Sequence, residues 1–285
     1  MSYATKGSGN GKDVKVVQSL DGCILKDDGL IIEFFGPPKS GKSWQIKRLI
    51  ERLQTDPKFR DIRPNFDYRV FKFSIKDELS KEDRYEFHMC YVTSHHHNLD
   101  RVRRKRKHSD VQLKGLDLII ADRGPIDDNS FAHTWYELGK MTDDERDRAL
   151  LLSAEAESWV NASILMYVSP EEALRREDEQ TLEVVGHKRR GEVMNEPTLK
   201  QLCGFYGFTI SGNRYRIVNS FTGKRQDVKL AQRTPISVDG EKGSKENNAD
   251  YIYDEVFKLF VPTSSEYRPN GEGNPNNTYS EVAKV

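Results

Sequence analysis

The chain has 285 residues, of which 36% are hydrophobic and 10% aromatic, so it can bury the core of one large domain or of a domain with insertions. Forty-five basic residues balance forty-five acidic ones, and this zero net charge gives no global attraction to nucleic acid or to a membrane. Three cysteines fit neither a disulfide framework nor a zinc site, and no apolar run reaches the length of a membrane span. We therefore expect a soluble cytoplasmic protein with no membrane partner, whose anion sites are local.

Both ends of the chain have the composition of flexible tails. Residues 1–14 are rich in Gly, Ser and Lys, and the C-terminal segment contains Pro-Asn-Gly-Glu-Gly-Asn-Pro-Asn-Asn, so neither can bury much apolar surface. We expect tails over residues 1–27 and 263–285, with one folded domain over residues 28–262.

Short apolar runs alternate with amphipathic segments between the tails, which predicts an α/β fold with a parallel sheet flanked by helices. The five predicted strands are residues 30–35, 68–74, 116–121, 164–168 and 236–238. Predicted helices cover residues 43–53, 82–102, 143–160, a segment beginning at Pro170, 197–206 and 248–260. Residues 205–230 interrupt the alternation, and their hairpin-like stretch predicts a small β insertion.

A glycine-rich loop with the pattern G-x-x-x-x-G-K-S spans residues 36–43, between the first predicted strand and a predicted helix. In that context the pattern indicates a site for a nucleoside triphosphate, because successive backbone N–H groups and the helix N-terminus form an anion cradle. Lys42 is expected to reach the β- and γ-phosphates, and Ser43 to place its hydroxyl on Mg²⁺. The nucleotide-binding residues expected here are Gly36, Lys39, Ser40, Gly41, Lys42, Ser43 and Trp44.

A second motif, Asp122-Arg123-Gly124, follows the third predicted strand at the edge where parallel sheets place their ligands. We interpret Asp122 as a carboxylate that orients Mg²⁺ and Arg123 as a phosphate-binding residue, against the alternative of an ordinary salt bridge. A phosphate acceptor would need no strong base. For a hydroxyl acceptor the candidate bases remain Asp77, Glu78, Glu82, Asp83 and Asp122.

Basic residues cluster after the fourth predicted strand. Two glycines bracket the stretch His187-Lys188-Arg189-Arg190, which suits a mobile lid over residues 175–195 that brings charge to bound phosphates on closing. The alternative is a solvated basic loop. The arginines expected to act in this lid are Arg175, Arg176, Arg189 and Arg190.

Two further features lie between the second and third predicted strands. The basic run at residues 101–108 is either a solvated helix end or a local attractor for nucleic acid. The adjacent His95, His96 and His97 point in different directions on a helix, so they cannot form one metal site, and we expect them at the surface. The histidines are also candidates for lining an acceptor cleft, together with Tyr85, Phe87, Met89 and Tyr91.

Four segments together resemble the thymidylate kinase and deoxynucleoside kinase group over roughly residues 30–260. They are the loop at 36–43, Asp122-Arg123-Gly124, the run Val-Ser-Pro-Glu-Glu-Ala-Leu-Arg-Arg at 168–176, and Ser-Val-Asp-Gly at 237–240. The resemblance implies a three-layer fold whose five parallel strands lie in the order 2-3-1-4-5. It also implies ATP and Mg²⁺ on the phosphate loop, with adenine near Asp239. Finally, it implies metal and acceptor roles for Asp122 and Arg123 and phosphate contacts from the lid arginines.

The expected function is therefore ATP-dependent phosphoryl transfer to a nucleoside or a nucleoside monophosphate. A polynucleotide 5′-hydroxyl kinase, with nucleic acid bound through residues 101–108, is one alternative. A nucleotide-switched ATPase acting on a partner macromolecule is another, whereas a GTPase is disfavoured because no Asn-Lys-x-Asp run occurs. The sequence does not give the oligomeric state, and a homodimer is one of the assemblies considered.

Overall fold

The computed structural model describes residues 16–17, 25–72, 84–107, 116–185, 193–210, 214–218, 225–229 and 235–261. In this part of the chain, six parallel strands form one sheet and two antiparallel strands form a separate hairpin. The strands are β1 (Val16–Val17), β2 (Leu25–Phe35), β3 (Tyr68–Lys72), β4 (Leu116–Asp122), β5 (Ala162–Tyr167), β6 (Arg214–Val218), β7 (Arg225–Lys229) and β8 (Ile236–Asp239).

The sheet has the order β1-β3-β4-β2-β5-β8. Among the five predicted strands this is the order 2-3-1-4-5, which confirms the predicted fold class. The two-residue β1 pairs with Val70 and Phe71 of β3 and was not predicted, since it lies in the segment expected to be a tail. The described part of the predicted second strand is Tyr68–Lys72, and residues 73 and 74 lie outside the described residues.

Helices cover the faces of the sheet. They are α1 (Lys42–Thr55), α2 (Pro57–Ile62), α3 (Arg84–Lys107), α4 (Pro125–Glu137), α5 (Asp143–Glu157), α6 (Pro170–Val185), α7 (Glu196–Ile210) and α8 (Lys245–Phe260). None of the helices in the described ranges is long and apolar enough to cross a membrane. Helix α7 runs past its predicted end into the range predicted as an insertion, whose remaining described part is the hairpin of β6 and β7.

The core follows the two-residue period of the central strands. Ile32 and Phe34 of β2 pack on one face of the sheet with α1 and α8. Ile31 points to the other face, where it packs with Ile119 of β4 and Ala156 of α5. The sheet is therefore apolar on both faces, as a parallel sheet between two helical layers requires.

Helix α4 was not predicted, and the reason is its burial. Ten of its residues, from Pro125 to Trp135, are buried, so it has no polar face to give a helical period. Several of these buried residues are polar, including Asp127, Asp128 and His133. The helix begins directly after the Asp122-Arg123-Gly124 motif, and its first turn therefore lies next to the predicted site.

Candidate functional site

A cleft of about 950 Å³ opens at the carboxyl edge of the sheet, where the ends of β2, β4, β5 and β8 meet. This edge is where open parallel sheets bind their ligands. Most of the predicted site residues line it together: Lys39, Ser40, Gly41, Lys42, Ser43, Trp44, Asp122, Arg123, Arg175 and Arg176. Residues brought to the cleft that were not predicted include Gln45, Lys72, Gly240, Lys245 and Asn248.

The phosphate loop joins the end of β2 to the start of α1. Gly36 has a φ of 133°, and a Cβ at this position would lie 2.1 Å from the carbonyl oxygen of Met166 in β5. Gly41 has a φ of 93° and forms the N-cap of α1, so the loop ends on a helix N-terminus that faces the cleft. Both positions need glycine, which explains the spacing of the motif.

Lys42 lies inside the loop. Its Nζ donates to the carbonyl oxygens of Gly36 at 2.8 Å and Pro37 at 2.7 Å, and to Ser40 Oγ at 3.2 Å. Burial and, next, the nearby guanidinium of Arg123 together lower the pKa of Lys42 to about 7, against the opposing carboxylates of Asp127 and Asp122. The Lys42 side chain is therefore a cation whose charge is only marginally stable at neutral pH.

Nucleotide binding should be coupled to proton uptake by Lys42. At pH 8 the amine, with a pKa of about 7, is mostly neutral in the free protein, and a bound polyphosphate raises that pKa because it stabilises the ammonium. We expect close to one proton to be taken up per Mg·ADP at pH 8 and little below pH 6. Calorimetry in buffers of different ionisation enthalpy measures this. In the matched variant Lys42→Arg the charge is permanent, so this variant should take up no proton at that position. If the variant takes up as many protons at pH 8 as the unmodified protein, Lys42 is not the group that binds the proton.

The two predicted metal ligands meet at the carboxyl edge of the sheet. Ser43, in the first turn of α1, donates its Oγ hydroxyl to Oδ2 of Asp122 at the end of β4, at 3.1 Å. Lys72 Nζ, at the end of β3, lies 3.3 Å from the same Asp122 oxygen and 3.4 Å from Ser43 Oγ. Lys72 faces Asp122 because the two are register partners in the β3–β4 pair, a pairing that the sequence does not display.

Arg123 follows the end of β4 and is held in place by the first turn of α4. Its φ of 77° is unusual for a residue with a side chain, and its guanidinium lies 2.5 Å from Asp127 Oδ2. Asp127 Oδ1 accepts from the Gly36 amide at 3.3 Å and from the Tyr206 hydroxyl at 2.6 Å. One buried carboxylate thus joins Arg123, the phosphate loop and α7.

The charge state of Asp127 is set by its partners. Burial by itself would raise the pKa of Asp127, but Arg123, Lys42 and the Tyr206 hydroxyl outweigh it and hold the pKa below its usual value. The same cluster raises the pKa of Tyr206, chiefly through burial and then through the carboxylate. Asp127 is therefore ionised at neutral pH and was not predicted, because nothing in the local pattern distinguishes it from Asp128.

Glu33 holds the first turn of α4 in place through hydrogen bonds from the backbone amides of that turn. It is completely buried in the middle of β2 and accepts from the amides of Ile126 at 3.1 Å and Asp127 at 3.2 Å. Burial raises its pKa well above the usual range, and the nearby charge of Asp127 adds to the shift. A charged residue between Ile32 and Phe34 in a buried strand is a signal that could have identified Glu33 from the sequence.

Arg176 ties the phosphate loop to the closing strand of the sheet. Its guanidinium donates to the carbonyl oxygens of Lys39 at 3.1 Å and Gly240 at 2.8 Å, and to Glu172 at 2.6 Å. Arg175 pairs with the same Glu172 at 2.7 Å and also lines the cleft. Both arginines lie on α6, so the first part of the predicted lid is a regular helix, while Arg189 and Arg190 lie outside the described residues.

The predicted adenine-side residue Asp239 shapes the turn between β8 and α8. Its side chain accepts from the amides of Glu241 at 2.9 Å and Lys242 at 3.2 Å, and its carbonyl accepts from Asn248 at 3.0 Å. Asp239 is not one of the residues that line the cleft, where Gly240 and Asn248 take that position. The prediction located this end of the cleft one residue away from its lining.

The surface position predicted for the histidine run is wrong for His95. That side chain is buried and lies 2.6 Å from Asp128 in α4, because α3 packs against α4 and α5 on this side. His96 is partly exposed near Glu155, and His97 is exposed. The candidate bases Asp77, Glu78, Glu82 and Asp83 lie outside the described residues, as do the side chains of residues 102–108 in the basic run.

No protein-family model and no curated protein matches the chain. Solved structures do match. A deoxyadenosine kinase from M. mycoides with bound dATP is 17% identical, with coverage of 79% of this chain and 98% of that chain and a TM-score of 0.51. The same enzyme with bound dCTP is 15% identical, with coverage of 80% and 100% and a TM-score of 0.48. The crystal structure of APE1195 is 15% identical, with coverage of 83% and 99% and a TM-score of 0.40. The first likeness shows a shared fold, an α/β fold with a five-stranded parallel sheet in the order 2-3-1-4-5 flanked by helices.

Proposed function

We propose that this protein is an ATP-dependent kinase that transfers a phosphoryl group to a nucleoside or a nucleoside monophosphate. The observation that carries the proposal is the convergence of Lys42, Ser43, Asp122 and Arg123 in one cleft at the carboxyl edge of the sheet. A phosphate loop alone would support any nucleotide-binding function. The fold shared with a deoxyadenosine kinase that binds dATP supports the more specific assignment.

The residues at the head of the loop fit a magnesium ion. Ser43 Oγ and Asp122 Oδ2 are oxygen donors 3.1 Å apart, and the ammonium of Lys72 already lies within 3.4 Å of both. The pair therefore attracts a cation, and oxygen ligands are those that Mg²⁺ prefers. Ser43 and Asp122 would hold the ion, which when bound neutralises charge on the β- and γ-phosphate oxygens.

The remaining groups bind and orient the nucleotide. The amides from Lys39 to Ser43 and the N-terminus of α1 bind the phosphates, and Lys42 exchanges its loop carbonyls for β- and γ-phosphate oxygens. Arg123, positioned by Asp127, faces the transferring phosphoryl group. Arg175, Arg176, Arg189 and Arg190 would exclude water from the triphosphate as the lid closes.

An acceptor panel with γ-labelled ATP tests the proposal. Nucleosides, nucleoside monophosphates and 5′-hydroxyl oligonucleotides are offered with Mg²⁺, and we expect the label to appear in a small molecule. Release of labelled phosphate that is independent of any acceptor would instead indicate a switching ATPase. Transfer of the label to the oligonucleotide would indicate a polynucleotide kinase, provided that the double substitution Arg103→Glu and Arg104→Glu reduces this transfer. Either of these results would contradict the proposed function.

A further inference from the structure

The cleft has two arms, because the sheet order places different strands on either side of the phosphate loop. On one side, Met166 of β5, Gly240 directly after β8 and Asn248 of α8 line the cleft beside the arginines of α6. On the other side, β4 and β3 bring Asp122 and Lys72. On the proposed function, the first arm would hold the donor nucleotide and the second would receive the acceptor.

Lys72 is a cation of the acceptor arm. Its ammonium lies against Asp122 and Ser43, the two residues expected to hold Mg²⁺. Mg²⁺ and the ammonium of Lys72 would compete for those oxygens, since like charges repel at close range. The side chain of Lys72 is 51% exposed, so it is able to move when the metal arrives. With the metal bound, this ammonium would be available to a new anionic partner.

We infer that the acceptor is a nucleoside 5′-monophosphate and that Lys72 binds its phosphate, an inference that rests on the proposed kinase function. A nucleoside would bring only a neutral hydroxyl to this arm, and Lys72 would then gain no counter-ion from the acceptor, only water and the donor phosphates. A monophosphate supplies that counter-ion at the place where the acceptor enters. Arg123, which follows Asp122 on the same arm, adds a second positive group for the same anion.

Phosphoryl transfer to a monophosphate needs no general base. Near pH 7.5 the monophosphate is mostly a dianion, because its second pKa is about 6. One of its oxygens attacks the γ-phosphorus of ATP, and the bond from that phosphorus to the β–γ bridging oxygen breaks. The products are a nucleoside diphosphate and ADP, and no proton has to be removed from the acceptor.

The test compares each nucleoside with its own monophosphate at saturating Mg·ATP. We expect kcat/KM for at least one monophosphate to exceed that of the matching nucleoside by more than about tenfold. Lys72→Met should raise the KM of the monophosphate by about 10- to 150-fold, the range of a lost charge-assisted hydrogen bond, with the KM of ATP nearly unchanged. Lys72→Arg should restore much of the loss. Calorimetric binding of the monophosphate to the Mg·ADP complex should show the same order of affinities.

Lys47→Met is the matched control, because Lys47 is an exposed lysine on the outer face of α1, paired only loosely with Glu51 at 3.8 Å. Equal or better use of nucleosides would overturn the inference while leaving the kinase function intact. So would a Lys72→Met effect confined to the KM of ATP, since Lys72 would then contact the donor phosphates. Absence of transfer to either acceptor class would instead count against the proposed function.

Discussion

Replacing Lys42 by Met should abolish phosphoryl transfer, with a fall in kcat/KM of roughly a thousandfold or more. Lys42 is the buried cation at the centre of the phosphate loop, and no other described lysine lies within hydrogen-bonding distance of the loop carbonyls that it contacts. Initial rates with γ-labelled ATP and the best acceptor from the panel measure the loss. Full activity in this variant would contradict the assignment of the cleft as the active site.

Thermal or chemical unfolding measured over a series of pH values checks that the Lys42→Met variant is folded. The same series tests whether folding lowers the pKa of Lys42. Folding lowers the pKa of Lys42 from about 10.4 in an unfolded chain to about 7. Between these values the unfolded chain binds the extra proton, so the stability of the nucleotide-free protein should rise with pH from about 7 towards 10. This contribution should vanish in Lys42→Met. The same slope in both proteins would show that folding does not lower the pKa of Lys42.

Replacing Asp127 by Asn should lower the free energy of unfolding by about 3 kcal/mol, because it leaves the guanidinium of Arg123 without its buried partner. The new amide still accepts from Gly36 and Tyr206, so the change isolates the ion pair. We also expect a large fall in kcat, since Arg123 would lose the contact that aims it at the cleft. Urea unfolding and steady-state kinetics measure the two effects.

Tyr206→Phe is the matched control for Asp127→Asn. It removes one hydrogen bond to the same carboxylate and leaves the ion pair with Arg123, so a loss of only about 1 kcal/mol is expected. Because Tyr206 donates to Asp127 itself, the losses of stability from the two substitutions should not be additive in the double variant. A purely structural role for Asp127 would lower stability but leave kcat and the KM of the acceptor unchanged at a temperature where the variant is folded.

The phosphate loop and the Asp122 strand end could be predicted from the sequence because their signals are local. The loop needs glycine at two positions of positive φ and a lysine beside a serine, all within residues 36–43. The five strands of the proposed sheet are short apolar runs bounded by polar residues. Their order, in contrast, came from the resemblance to a kinase group and was then confirmed, since periodicity does not say which strands are neighbours.

The residues that complete the site depend on contacts between distant parts of the chain. Asp127 lies 79 residues from Tyr206 and 91 from Gly36, and Lys72 faces Asp122 only through strand pairing. His95 is buried because α3 packs against α4. The sequence of α4 has no helical period, so neither this helix nor the contact with it could be predicted. By itself, then, the sequence determined the fold class and the phosphate-binding loop, because backbone geometry and apolar period are encoded locally. Only the tertiary structure decided which charges meet in the cleft, because that depends on strand register and helix packing.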